Sequence, residues 1–124
     1  MKNVLTALGN ENVNNKLKTY KNINILMKDI QYKEGILEIL EQKKEIDWII
    51  ISELLPGEIE TNKLVEKIQE KNNKINLIII LDKPNEEIEM KLKMNKNINI
   101  YYNNQIKIKE VVELITKKNN SEKL

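Results

Sequence analysis

Asp47-Trp48-Ile49-Ile50-Ile51-Ser52-Glu53-Leu54-Leu55-Pro56-Gly57 is the stretch that decides the fold. An apolar run of Trp and three isoleucines stops at a small polar residue, and a Leu-Pro-Gly loop follows. A run so short and so apolar reads as a strand buried on both faces, and Pro-Gly marks the loop that leaves it. The residues on either side repeat the same unit. Before it, residues 32–43 carry Ile36, Leu37, Ile39 and Leu40 as one apolar stripe with Glu and Lys outside, the pattern of an amphipathic helix. After it, residues 61–71 place Leu64, Val65 and Ile68 at helical spacing, and residues 76–81 form a second continuously apolar run.

Further out the alternation continues. Strands are expected at 3–8, at 24–28 with Ile23 as an alternative start, and at 98–102, and helices after Gly9-Asn10-Glu11-Asn12, after Pro84-Asn85-Glu86-Glu87 and over 107–117. Asn10 or Asn12 caps the first of these helices, whose Val13, Leu17 and Tyr20 share one face. Asn85 caps the fourth, with two glutamates in its electropositive first turn. Strands alternating strictly with helices give a three-layer α/β/α fold around a parallel sheet. Right-handed crossovers and five strands favour the flavodoxin-like order 2-1-3-4-5, with helices one and five on one face and two, three and four on the other. Residues 1–117 make one domain on this reading, and 118–124 are a polar tail or the start of a linker.

Composition narrows the chemistry. The chain has 124 residues, no cysteine and no histidine. Disulfides and thiolate metal sites are excluded, and the commonest general base is missing. Net charge is +2, and every cation is lysine. Without arginine or a basic patch, no nucleic-acid partner is expected. No apolar run approaches ~20 residues, so neither a membrane span nor a membrane partner is expected, and the reading is of a cytoplasmic protein. Heavy use of Ile, Lys, Asn and Glu suits an AT-rich bacterial genome.

The stretch from Tyr32 to Gly57 resembles the second helix, third strand and following loop of response-regulator receiver domains, and the likeness extends over nearly the whole chain. The resemblance implies a site at the carboxyl ends of the strands. Active members of that family hold magnesium with two acids after strand one, phosphorylate an aspartate ending strand three, and add a hydroxyl residue after strand four and a lysine after strand five. Carried over by position, the acids fall on Leu8 and Gly9, the phosphoacceptor on Ser52, the hydroxyl on Leu81 or Asp82, and the lysine on Asn104 or Asn103. Magnesium wants carboxylate oxygens, and phosphoryl transfer wants metal and lysine charge. These positions supply neither, apart from one acid at Asp82. No cofactor and no enzymatic activity are expected.

Other constellations are weaker. Gly9 starts what a dinucleotide loop would need, but Glu11 and Asn14 occupy the other glycine positions. Asp29 and Asp82 both follow strands, and facing one crevice they would serve as acid and base. Trp48 belongs to the core. Tyr101 and Tyr102 point to opposite faces of the fifth strand. On the fourth helix Ile88 and Leu92 share one side and Met90 and Met94 a nearly opposite one, so one pair stays outside, where methionine suits adaptable contacts.

The expected function is a degenerate receiver-like domain acting as a protein-interaction or regulatory module, with Met90, Met94, Tyr101 and Tyr102 as its candidate interface. It is similar to the segment preceding ParA/MinD-type ATPases in some bacteria, which implies such an ATPase in the same chain as partner, or a weak homodimer. The alternative is a small flavodoxin-like ligand-binding protein or enzyme that uses the strand-end crevice.

Overall fold

The computed structural model describes residues 1–26, 29–42, 45–103 and 107–122, the last five by their backbone alone. Five strands and five helices alternate: β1 (Lys2–Ala7), α1 (Glu11–Leu17), β2 (Ile23–Ile25), α2 (Glu34–Gln42), β3 (Trp48–Ser52), α3 (Thr61–Lys71), β4 (Asn76–Leu81), α4 (Glu86–Lys93), β5 (Ile98–Tyr102) and α5 (Ile108–Glu122). Every strand pair is parallel, and the order is β2-β1-β3-β4-β5. The sheet order and topology expected from the alternation are those observed.

Strand alternation divides the core in two. Leu5, Ile49, Ile51, Leu77 and Ile79 meet Ile36 of α2, Leu64 and Ile68 of α3, and Leu92 of α4. On the opposite face Val4, Trp48, Ile50, Ile78 and Ile80 meet Leu17 of α1 and Val111 and Ile115 of α5. Register is pinned at the amino ends by Asp47. Its carboxylate accepts the Asn3 N–H at 2.8 Å, its own N–H donates to the Asn3 carbonyl at 2.9 Å, and its carbonyl accepts the Asn76 N–H at 3.0 Å.

Caps set several boundaries. The Asn10 side chain accepts the N–H groups of Asn12 and Val13, and that of Asn85 accepts the Ile88 N–H. Four details depart from the sequence reading. Strand β2 is only Ile23–Ile25, because it pairs over three residues with β1; Met27 and Lys28 lie outside the described residues. Strand β1 spans Lys2–Ala7, one residue earlier than expected. Tyr20 lies past the end of α1, although it still packs on the α1/α5 core. Helix α5 continues to Glu122, beyond residue 117, where a helix end was expected. Among the described residues no helix is long and apolar enough to cross a membrane.

Candidate functional site

The carboxyl ends of β1, β3, β4 and β5 converge around Leu8, Ser52, Asp82 and Asn103. Ala7 pairs with Ile51, Ser52 with Ile80, and Leu81 with Tyr102, so the loops leave the sheet side by side. In this fold such a crevice is where ligands bind.

The β1–α1 loop is held by a carboxylate from the next connection. Asp29, only 5% exposed, accepts the Leu8 N–H on one oxygen at 2.9 Å and the Asn10 N–H on the other at 2.7 Å. Between these two donors Gly9 takes φ +66°, a left-handed conformation natural to glycine, and a Cβ there would stand 3.4 Å from Leu55. Asp29 therefore faces the loop backbone. Asp82 is exposed beyond β4, and its N–H donates to the Glu53 carboxylate at 3.1 Å. With β1 and β3 between their strands, the structure does not bring Asp29 and Asp82 together as an acid–base pair. Each carboxylate belongs to its own loop, the plainer of the two readings of this pair.

Ser52 is half-buried at the end of β3, and its Oγ accepts the Leu54 N–H at 3.3 Å. The backbone of Asn103 is fixed by its N–H to the Leu81 carbonyl at 2.8 Å. Asn104 lies outside the described residues. The groups beside Ser52 do not fit the magnesium ion that the receiver resemblance implies. Leu8 presents hydrocarbon, Gly9 has no side chain, and both oxygens of Asp29 already accept backbone N–H groups. Among the described residues no three carboxylates converge on one point.

A second loop contact escaped the sequence reading. Glu34, placed there on the outer face of α2, accepts the N–H groups of Glu58 and Ile59 at 2.9 and 3.0 Å. The Lys33 N–H donates to the Pro56 carbonyl at 2.8 Å. These bonds tie the Leu-Pro-Gly loop to the start of α2, and the Ile59 N–H above all holds the Glu34 carboxyl below its ordinary value. Gly57 makes the approach possible: a Cβ there would lie 2.7 Å from the Glu34 carboxylate. No sequence signal marks Glu34, since its partners are 24 and 25 residues away.

Between α1 and α5 the crevice opens into a cavity of about 370 Å³. Val13 and Leu17 form one wall, Ile50 and Ile80 the floor, and Ile108 and Val111 the other wall. Asn10, Ser52 and Asn103 bring its polar groups, and Leu8 also borders it. Three positions singled out by the sequence thus share one space, while Gly9 and Asp82 stand outside its lining.

At the other margin of the sheet, α4 buries Leu92 fully and half-buries Ile88, leaving Met90 and Met94 at 70% and 85% exposure. Met94 borders a shallow groove with Glu66, Gln69 and Glu70 of α3. The Tyr102 hydroxyl, on the side of β5 facing α4, donates to the Glu89 carboxylate, and this bond with desolvation pushes its pKa up to about 12. Tyr101 packs on the α1/α5 face instead. Met94 and Tyr101 consequently sit on separate surfaces.

No protein-family model matches the chain, and no curated protein matches it in sequence. Solved structures do match in shape. A DNA-binding response regulator of the LuxR family from Staphylococcus aureus aligns with a TM-score of 0.76 at 19% identity, over 94% of this chain and 98% of that one. The signal receiver domain of an HD domain-containing protein from Pseudomonas fluorescens Pf-5 gives 0.73 at 16% identity, over 94% and 92%. The response regulator RcsB of Salmonella typhimurium, described for its conformational dynamism in DNA interaction, gives 0.77 at 15% identity, over 97% of this chain. The chain spans 55% and 62% of the length of two RcsB structures. At these identities the likeness is one of fold: the chain has the flavodoxin-like fold of response-regulator receiver domains.

Proposed function

We propose that the chain is a regulatory module of receiver fold that works through protein contacts and does not depend on an aspartyl phosphate. The observation that carries this reading is Ser52 at the end of β3, with Leu8 across the crevice and Gly9 next in the chain, the positions where the resemblance puts the metal-holding acids. Serine forms no acyl phosphate, and phosphoryl transfer without metal and lysine charge lacks its main stabilisation. Intact-mass measurement after incubation with acetyl phosphate and magnesium is expected to show no added phosphate. A stoichiometric mass increase that disappears in Ser52→Ala overturns the reading.

The contact surface we assign is the exposed side of α4 with the neighbouring β5, carrying Met90, Met94 and Tyr102. Its support is the two methionines left in water, which bury apolar area on docking. The partner proposed for it is a ParA/MinD-type ATPase in the same chain, reached through the segment that continues α5, in the cytoplasm of a bacterium. Weak self-association is the form expected without that partner. Met90→Glu with Met94→Glu is expected to abolish association in sedimentation while the fold is kept. Unchanged association places the contact elsewhere, and a native reading frame without a downstream P-loop removes the ATPase.

A second reading, a small ligand-binding protein, is favoured by one observation: the cavity beside Ser52.

A further inference from the structure

We infer that the cavity between α1 and α5 is a binding site for a small, uncharged, largely apolar compound carrying one hydrogen-bond acceptor, such as an aryl ketone or an aliphatic amide. The inference deepens the ligand-binding reading and rests on it. Three observations set the class. First, at about 370 Å³ the space falls within the range of small-molecule sites, which span roughly 300–1,000 Å³. Second, its walls are hydrocarbon from three directions, α1, the sheet and α5, so an occupant leaves water on most sides. Third, its polar groups are neutral: among the described residues no lysine, aspartate or glutamate lines it. A phosphate or nucleotide would enter without a counter-charge, and burying an unpaired charge is costly.

The orientation of the polar end follows from what each group already does. Asn10 Oδ1 accepts the Asn12 and Val13 N–H groups, which leaves the side-chain amide as the donor it offers. Ser52 Oγ accepts the Leu54 N–H, which leaves its own hydroxyl proton to give. Asn10 and Ser52 therefore present donors, to which an acceptor such as a carbonyl oxygen is complementary, and Asn103, whose amide carries both a donor and an acceptor, accommodates that choice without setting it. The apolar remainder lies against Val13, Ile50, Ile80 and Ile108. On this assignment Ser52, standing where the receiver resemblance puts a phosphoacceptor, recognises a ligand as a hydrogen-bond donor.

The test is a titration of the whole chain, methyl-labelled at Ile, Leu and Val, followed by NMR. The probes are acetophenone, hexanamide, benzene, and AMP as an anionic control. Acetophenone and hexanamide are expected to give saturable shifts of the Ile50, Ile80, Ile108 and Val111 methyls, and AMP none there. Val13→Phe, which fills the space from a half-buried position, is expected to remove the response. Ser52→Ala is expected to weaken acetophenone about fivefold while leaving benzene, which has no acceptor, unchanged. Should Val13→Phe not fold, the Ser52→Ala contrast between acetophenone and benzene decides. No saturable shift up to the solubility limit, a response unaltered by Val13→Phe in its folded form, equal losses for acetophenone and benzene in Ser52→Ala, or preferential binding of AMP each overturns the assignment. A negative result leaves the phosphate-independent module standing, because that reading is judged separately by mass after acetyl phosphate.

Discussion

The two faces of the sheet are built from the same strands and are filled differently. On one, α2, α3 and α4 cover Leu5, Ile49, Ile51, Leu77 and Ile79 with a continuous set of buried aliphatic side chains. On the other, α1 and α5 cover Val4, Trp48, Ile50, Ile78 and Ile80, and α1 is only seven residues long. That side also buries a polar pair, with the Thr6 hydroxyl donating to the Asn14 side-chain oxygen at 2.6 Å. Its upper end stays open as the cavity beside Ser52. The difference separates a closed face from an open one: three helices cover the first fully, and two helices, one of them short, leave the carboxyl end of the second uncovered.

The largest expected effect tests that separation directly. Ile51→Ala, in the closed face, should cost about 2–5 kcal/mol in urea denaturation, because nothing can collapse into the hole. Ile108→Ala, half-buried at the cavity wall, should cost under about 1.5 kcal/mol. Equal losses would break the contrast. Next in size is Asp29→Ala, which strips the acceptors from the Leu8 and Asn10 N–H groups and should cost about 1–3 kcal/mol. Faster amide exchange at Leu8 and Asn10 should accompany it, and unchanged exchange would show the loop to be held by other contacts.

Two smaller effects sharpen the closed face through pH. Glu34 has its folded-state pKa lowered below 4.5, chiefly by the Ile59 N–H. The stability this confers is present above the unfolded value and is lost as pH falls through the still lower folded value. Glu34→Gln should therefore be less stable than the parent chain at neutral pH, with the difference shrinking as pH falls below 4.5, which flattens the acid limb. Tyr102 runs the other way. Its pKa, raised from 10.0 to about 12 by Glu89, gives stability that is present below 10 and lost as pH rises toward 12. Tyr102→Phe should remove a late-ionising phenol from the ultraviolet titration, and its deficit in stability, present at pH 7, should shrink as pH rises above 10.

The fold was legible because its signal is periodic. Trp48–Ser52, Thr61–Lys71, Asn76–Leu81 and Ile98–Tyr102 have the bounds that apolar runs and helical spacing predict. Strand β2, expected to run to Lys28, ends at Ile25, because its residues are mixed and only its pairing with β1 defines it. On α4 the Asn85 cap set the start of the helix, and Ile88 and Leu92 turned inward while Met90 stayed outside. The site was legible as a set of positions and not as a set of contacts. Leu8 and Ser52 could be placed at strand ends, but Asp29 and Glu34 act on backbone groups 19 to 25 residues away. Such partners leave no trace in local spacing. The strand-end crevice followed from the fold, but its apolar walls from α1 and α5 did not, since they depend on which helix faces meet across the sheet.

Trp48 gives the protein an optical property. It is the chain's single tryptophan, fully shielded from solvent, and it lies two residues before Ile50 on the same face of β3. Fluorescence excited at this one indole arises from the α1/α5 side alone and is free of overlapping emission from a second indole. Loosening of the less filled face should shift its emission to the red, whereas disturbance confined to the α2–α4 side should leave its colour unchanged until the sheet itself comes apart. A single spectrum can thus distinguish which half of the core yields first.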